Sequence, residues 1–311
     1  MHYRELGRTG LKLSVVSYGA ASIGNEYGNM TDEAAGIRSL HVALDGGVNF
    51  IDTSPYYGRT LAERVLGKAF KEIPRDRFLL GTKCGRYDVA GFDFSHDRIL
   101  RSVDESLQRM GVDHLDIMQC HDIEFGDLRQ VVDEALPALR KAREQGKVRF
   151  IGVTGFPLKI FRAILDQTEL DCMMSYCHYA LNNTSLAGLL PYLKGKGVGI
   201  LSASPFSERL LTRQQLPAWH HAPPVLKEHC RRAVEHCDRR GVDIASLAVR
   251  FCVENPDITS TVAGTANPVN MANILKWIEE PLDHELLAEV RQILEPVQDT
   301  LWPVGRPEND D

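Results

Sequence analysis

Phe50-Ile51-Asp52-Thr53-Ser54-Pro55-Tyr56-Tyr57-Gly58 sets a carboxylate and a phenol five residues apart, directly behind a short apolar run that reads as a buried strand. An acid at a strand end, then a turn carrying Tyr before Gly, is how a parallel α/β protein presents chemistry on its carboxyl-end loops. A Tyr needs help to move a proton near neutral pH. Its phenol ionises near pH ~10, and only a neighbouring cation favours the phenolate. The chain has to supply a Lys.

Seven further runs of this kind recur, so that short apolar segments lie at 15–19, 48–52, 78–83, 115–120, 150–154, 171–175, 198–203 and 259–263. Between them are longer segments with helical spacing and polar faces, among them 32–44, 98–110, 128–144, 157–166 and 186–194. Some carry clear boundaries: Thr31-Asp32-Glu33 opens one and Gly46-Gly47 closes it, while Ser95-His96-Asp97 opens another and Gly111 closes it. Eight strands alternating with helices, with no composition break or Pro/Gly-rich linker midway, predict a closed (β/α)8 barrel rather than two doubly wound halves. The whole chain, 1–311, reads as one domain of the α/β class. Residues 2–14 read as a small hairpin capping the bottom of the barrel. The interval between the seventh and eighth strands reads as an insertion with a loop rich in Pro, His and Trp (216–224) and helices at 225–240 and 243–255. The insertion and the tail around Trp302-Pro303 are placed to lie over the barrel mouth.

The apolar fraction of 43% and charged fraction of 25% suit a globular chain able to bury a sizeable core. A net charge of −6 gives no electrostatic footprint for nucleic acid or an anionic membrane, and neither is expected as a partner. The N-terminus has no apolar leader-like region, which points to the cytoplasm. The seven Cys include no Cys-x-x-Cys pair, so neither a disulfide framework nor a metal site is expected.

The ends of consecutive strands are where chemistry belongs. The third strand ends Thr82-Lys83-Cys84-Gly85-Arg86 and the fourth ends Gln119-Cys120-His121-Asp122. A Lys closing an apolar strand is costly unless paired, so Lys83 belongs beside Asp52, where it also supplies the cation Tyr57 requires. His121 adds a hydrogen-bond donor for an oxygen at the reacting carbon. Taken singly, Asp52 has an ordinary explanation as a helix cap, Lys83 as a snorkelling surface residue and His121 as a structural one. Their joint occurrence does not.

The set Asp52, Tyr57, Lys83 and His121, in this order and spacing, resembles the catalytic tetrad of the aldo-keto reductases. The likeness extends along the chain: Leu6-Gly7-Arg8-Thr9-Gly10-Leu11 is similar to their N-terminal signature, Asn49-Phe50-Ile51-Asp52-Thr53 to their second strand and Gly152-Val153-Thr154-Gly155 to their fifth. Within the family, Lys83-Cys84-Gly85-Arg86-Tyr87, Cys120-His121-Asp122-Ile123-Glu124-Phe125-Gly126, Ser175-Tyr176-Cys177-His178-Tyr179 and Trp302-Pro303-Val304-Gly305 resemble the L-galactose dehydrogenases and the related bacterial L-fucose dehydrogenases.

The resemblance implies oxidation of an aldose at its anomeric carbon to a lactone, with Tyr57 taking the hydroxyl proton and hydride leaving for a nicotinamide. It places Thr154, Ser175, Ser204, Gly264, Asn270 and Asn273 at the cofactor, and Asn270 where relatives that hold the NADP 2′-phosphate carry a basic residue. No Arg or Lys occurs from Gly264 until Lys276, and neutral amides suit a ribose hydroxyl, so NAD is the expected cofactor. His178, Tyr87, Asp122 and Trp219 are the candidates for the sugar, which needs several hydrogen bonds and an aromatic face. The expected state is a monomer or weak homo-oligomer. Two alternatives stand: an NADPH-dependent aldehyde or ketone reductase, and a cofactor-binding regulatory subunit on the same barrel.

Overall fold

The computed structural model describes residues 1–25 and 32–311. Strand β1 (Tyr3–Glu5) pairs antiparallel with β2 (Lys12–Ser14), Tyr3 opposite Ser14. Gly7 turns this hairpin at a positive φ of 51°, and a Cβ there would collide with the backbone of Gly199. The hairpin is thereby pressed against the barrel floor, where Arg8 N donates to Gly197 O at 3.0 Å. Leu6, Leu11 and Leu13 are buried in one cluster with Phe50, Ile117, Leu201 and Val262, so the hairpin plugs the bottom of the barrel.

All eight expected runs are strands: β3 (Val16–Gly19), β4 (Phe50–Asp52), β5 (Leu79–Cys84), β6 (Leu115–Cys120), β7 (Val148–Gly155), β8 (Cys172–Tyr176), β9 (Gly199–Ala203) and β10 (Ser260–Ala263). They run parallel in sequence order, and β10 pairs with β3 to close the barrel. Every β6 residue is buried, as expected of a strand packed on both faces. The register sets Asp52 opposite Gly81 and Lys83 opposite Gln119, which brings the strand ends carrying the polar residues to one rim.

Helix boundaries follow local chemistry. Asp32 caps Glu33–Asp45 by accepting from Ala34 N at 3.1 Å, while Thr31 lies outside the described residues. Helix His96–Met110 ends at Gly111 in the left-handed region. The segment read as one helix over 128–144 divides into Leu128–Gln130, a π turn over Val131–Ala135 and Leu136–Glu144. Pro137 explains this, because it has no N–H for the i−4 carbonyl and its ring crowds it. The segment 186–194 likewise divides at Leu190-Pro191 into a 3-10 turn, Ser185–Gly188, and a helix, Leu190–Gly195.

The insertion between β9 and β10 carries helices Pro224–Arg239 and Ile244–Glu254. Their Leu226, Cys230 and Leu247 share a second core with Leu286 and Val290 of helix His284–Leu294 and with Trp302. The tail then crosses the loops that follow β6 and β7: Arg306 N and Asn309 Nδ2 donate to Glu124 O at 3.0 and 2.9 Å, and the Asp311 carboxylate accepts from Leu158 N and Lys159 N. All seven Cys are free and buried. Among the described residues no helix is long and apolar enough to cross a membrane, and no group of His, Cys, Asp and Glu is placed to hold a metal ion.

Candidate active site

Asp52 ends β4, Lys83 lies near the end of β5 and His121 directly follows β6; adjacent parallel strands make them neighbours. Lys83 Nζ donates to Asp52 Oδ2 at 2.6 Å, Thr53 O at 2.9 Å and Tyr57 Oη at 3.3 Å. An ammonium has three protons, and each has an acceptor here. Lys83 is 1% exposed and Asp52 2%. Burial pushes the Asp52 carboxyl up from its ordinary range and the Lys83 charge opposes this. The Lys83 contact also stabilises negative charge on the Tyr57 oxygen.

The His121 ring stands perpendicular to Tyr57 with centroids 5.7 Å apart. Burial pushes the imidazole down to about 3, Lys83 and Arg86 adding to the effect and Asp122 opposing it, so His121 is neutral at working pH. Its Nδ1 lies 2.9 Å from Ser54 Oγ, and its Nε2 lies 3.6 Å from Asp122 Oδ2.

Asp122 adopts a left-handed φ of 48°. Its N–H donates to Thr154 Oγ1 at 2.9 Å, and that hydroxyl donates back to Asp122 Oδ1 at 3.2 Å. Arg86 Nη1 pairs with Asp122 Oδ2, and its guanidinium lies 3.8 Å over the Tyr56 ring. Burial of Asp122 favours its neutral form, but the Arg86 guanidinium, by its charge and its hydrogen bond, holds the carboxyl low. Glu208 faces the same group: burial, with Asp122 adding and Arg86 opposing, pushes it up to about 7. Glu124 is fully buried below, accepting from Phe156 N at 3.1 Å and Tyr176 Oη at 3.4 Å.

Beside this cluster, His178 Nδ1 lies 2.8 Å from Tyr176 O, and since a carbonyl only accepts, that nitrogen carries the proton. The buried Ser175 hydroxyl, 3.3 Å from the same nitrogen, therefore keeps its hydrogen for another acceptor. His178 Nε2 is buried without a partner. Ser204 follows β9 at a φ of 60°. Gly264 follows β10, packed so closely that a Cβ would enter the Gly19 carbonyl. Asn270 and Asn273 lie half-buried, one turn apart, on helix Pro268–Trp277, whose N-terminus is capped by Asn267.

The structure thus joins Asp52, Tyr57, Lys83, His121, Asp122 and Thr154 in one network, with Ser175 and His178 forming a pair of their own. Tyr87 turns toward helix His96–Met110: its Oη accepts from Gly85 N at 3.1 Å and the Arg98 guanidinium lies 3.7 Å from its ring. Trp219, 42% exposed, lies parallel to His220 on the insertion. Ser54, Arg86 and Glu124 join the site without being expected from the sequence. For Arg86 the chain does hold a signal, a charged residue directly behind a buried strand end.

Residues 15–295 match the Aldo/keto reductase family. The chain is 46% identical to an L-galactose dehydrogenase of Arabidopsis thaliana, with 98% of each chain covered. It is 32% identical to a D-arabinose 1-dehydrogenase of Saccharomyces cerevisiae, covering 78% of this chain and 75% of that one. A Bacillus halodurans aldo-keto reductase solved in its holo form superposes over 100% of both chains with a TM-score of 0.80 at 23% identity, a likeness of fold. The chain belongs to the aldo-keto reductase family, whose members are oxidoreductases using nicotinamide cofactors.

Proposed function

We propose that this protein is an NAD-dependent aldose 1-dehydrogenase that oxidises the anomeric carbon of L-galactose, L-fucose or both to the corresponding lactone. The observation that carries the reading is Lys83 Nζ bridging the Asp52 carboxylate and the Tyr57 hydroxyl inside a buried site. The Arabidopsis relative, an L-galactose dehydrogenase by name, supports the substrate class.

The residues present fit a nicotinamide cofactor: the buried Ser175 hydroxyl has a proton to give a carboxamide, and the amides of Asn270 and Asn273 offer neutral partners near the end of β10. Ser204 and Gly264 would border it, and Thr154 acts through Asp122. A nicotinamide, when bound, supplies the acceptor for the hydride that leaves C1. Tyr57 accepts the proton of the anomeric hydroxyl, aided by the adjacent ammonium, and Asp52 holds that ammonium in place. Neutral His121 donates a hydrogen bond to the same sugar oxygen. Asp122 and His178 line up further sugar hydroxyls, with Tyr87 and Trp219 contributing through the loops that carry them. A carboxamide in place of Arg or Lys at Asn270 leaves a 2′-phosphate without a counter-charge, which favours NAD.

Initial rates on a panel of L- and D-aldoses, each with NAD and with NADP, test this reading. The expected result is NAD reduction with L-galactose or L-fucose. No turnover of any 6-carbon or 6-deoxy L-sugar would sink the substrate assignment, and a preference for NADP would sink the cofactor assignment.

A further inference from the structure

We infer that Ser54 is a positioning residue that fixes which nitrogen of His121 carries the proton, making Nε2–H the hydrogen-bond donor of the site. Two independent contacts lead to this. Ser54 is fully buried, and its Oγ accepts from Tyr56 N–H at 3.1 Å while lying 2.9 Å from His121 Nδ1. A hydroxyl has one proton. If Nδ1 were protonated, Ser54 Oγ would accept from both neighbours and its own proton would be buried with no acceptor, an arrangement that folded proteins avoid. With Nδ1 unprotonated, the relay runs in one direction: Tyr56 N–H to Ser54 Oγ, and Ser54 O–H to Nδ1.

The other end of the ring agrees. Nε2 lies 3.6 Å from the Asp122 carboxylate, which is held by Arg86 and by the Thr154 hydroxyl. An ionised carboxylate only accepts, so an Nε2 lone pair facing it would be repelled while an Nε2–H is attracted. The ring is thus set from both sides, by a donor at Nδ1 and an acceptor beyond Nε2. Because burial keeps His121 neutral, the choice of nitrogen decides whether it presents a proton or a lone pair to the site.

The consequence for turnover rests on the dehydrogenase reading above, whereas the tautomer does not and is measured without sugar. Nitrogen-15 imidazole spectra of the full-length protein, with the His121 signals assigned as those lost in His121→Asn, should show an unprotonated Nδ1 and a protonated Nε2. In Ser54→Ala the two nitrogens should shift toward an exchanging mixture. With an aldose that the wild type oxidises, kcat/KM should fall about 10-fold, the size of one hydrogen bond, with affinity for the dinucleotide unchanged. Ser54→Thr, which keeps the hydroxyl, should restore both. A protonated Nδ1 in the wild type overturns the inference without any variant. Ser54→Ala that keeps the wild-type tautomer overturns the role of Ser54 whatever its turnover, and a changed tautomer at full turnover overturns the catalytic consequence.

Discussion

At the ends of β4, β5 and β6 the barrel mouth is shaped by charge: Lys83 shares its protons among Asp52, Thr53 and Tyr57, and Arg86, Asp122 and Thr154 close a second network around His121. Beyond β8 and β9 it is shaped by backbone. Cys177, Ser204, Ser207, Glu208 and Arg209 all hold φ between 43° and 82°, a region non-glycine residues seldom visit. The two halves should therefore fail differently. Removing one charge from the first strands its partner in a low-dielectric interior, whereas small side chains of the second can change while its backbone turns remain.

Lys83→Met should give the largest effect. It leaves the Asp52 carboxylate buried without its cation, so stability should drop by about 3–5 kcal/mol, and adding Asp52→Asn should recover part of it. Urea denaturation of the two variants beside the wild type checks this; an unchanged midpoint in Lys83→Met would break the contrast between the halves. Next is the pH dependence of stability. The folded His121 value of about 3 lies below the ordinary 6.5, so the unfolded chain binds the extra proton. The stabilisation is complete above pH 6.5 and is lost as pH falls toward 3, at up to about 1.4 kcal/mol per pH unit. His121→Asn should flatten this part of the curve between pH 7 and pH 5.

On the other half, Asn270→Arg should tighten NADP binding by about 10-fold, the worth of one charge-assisted contact, and leave NAD nearly unchanged. Fluorescence titration with both dinucleotides reads this out. Ser204→Gly should be the mildest of the set. Glycine relieves the strained φ but frees the unfolded chain, so the net change in stability, read by urea denaturation, should stay within about 1 kcal/mol.

The same contrast separates the residues that are legible in the sequence from those that are not. Asp52, Lys83 and Tyr57 are legible because an ionisable group at the end of an apolar strand must have a partner, and adjacent parallel strands leave few choices. The eight strands are legible for a related reason: each is a short apolar run between polar helices. Ser54 is not, since a serine in a Ser-Pro turn is commonplace and its meaning depends on His121, sixty-seven residues away. Glu124 stays hidden because its burial comes with the C-terminal tail folding over it. The division of the 128–144 helix is hidden too, because apolar spacing continues through Pro137 while the hydrogen-bond ladder does not.

The central claim is that Tyr57, supported by Lys83, moves the proton. Tyr57→Phe keeps the ring and removes only the hydroxyl, so the direct test is its single-turnover oxidation of L-galactose or L-fucose with NAD, alongside its affinity for NAD. The predicted result is a fall in the rate of at least about 100-fold, as for loss of a general base, with NAD affinity unchanged. A Tyr57→Phe variant that turns over at the wild-type rate would contradict it.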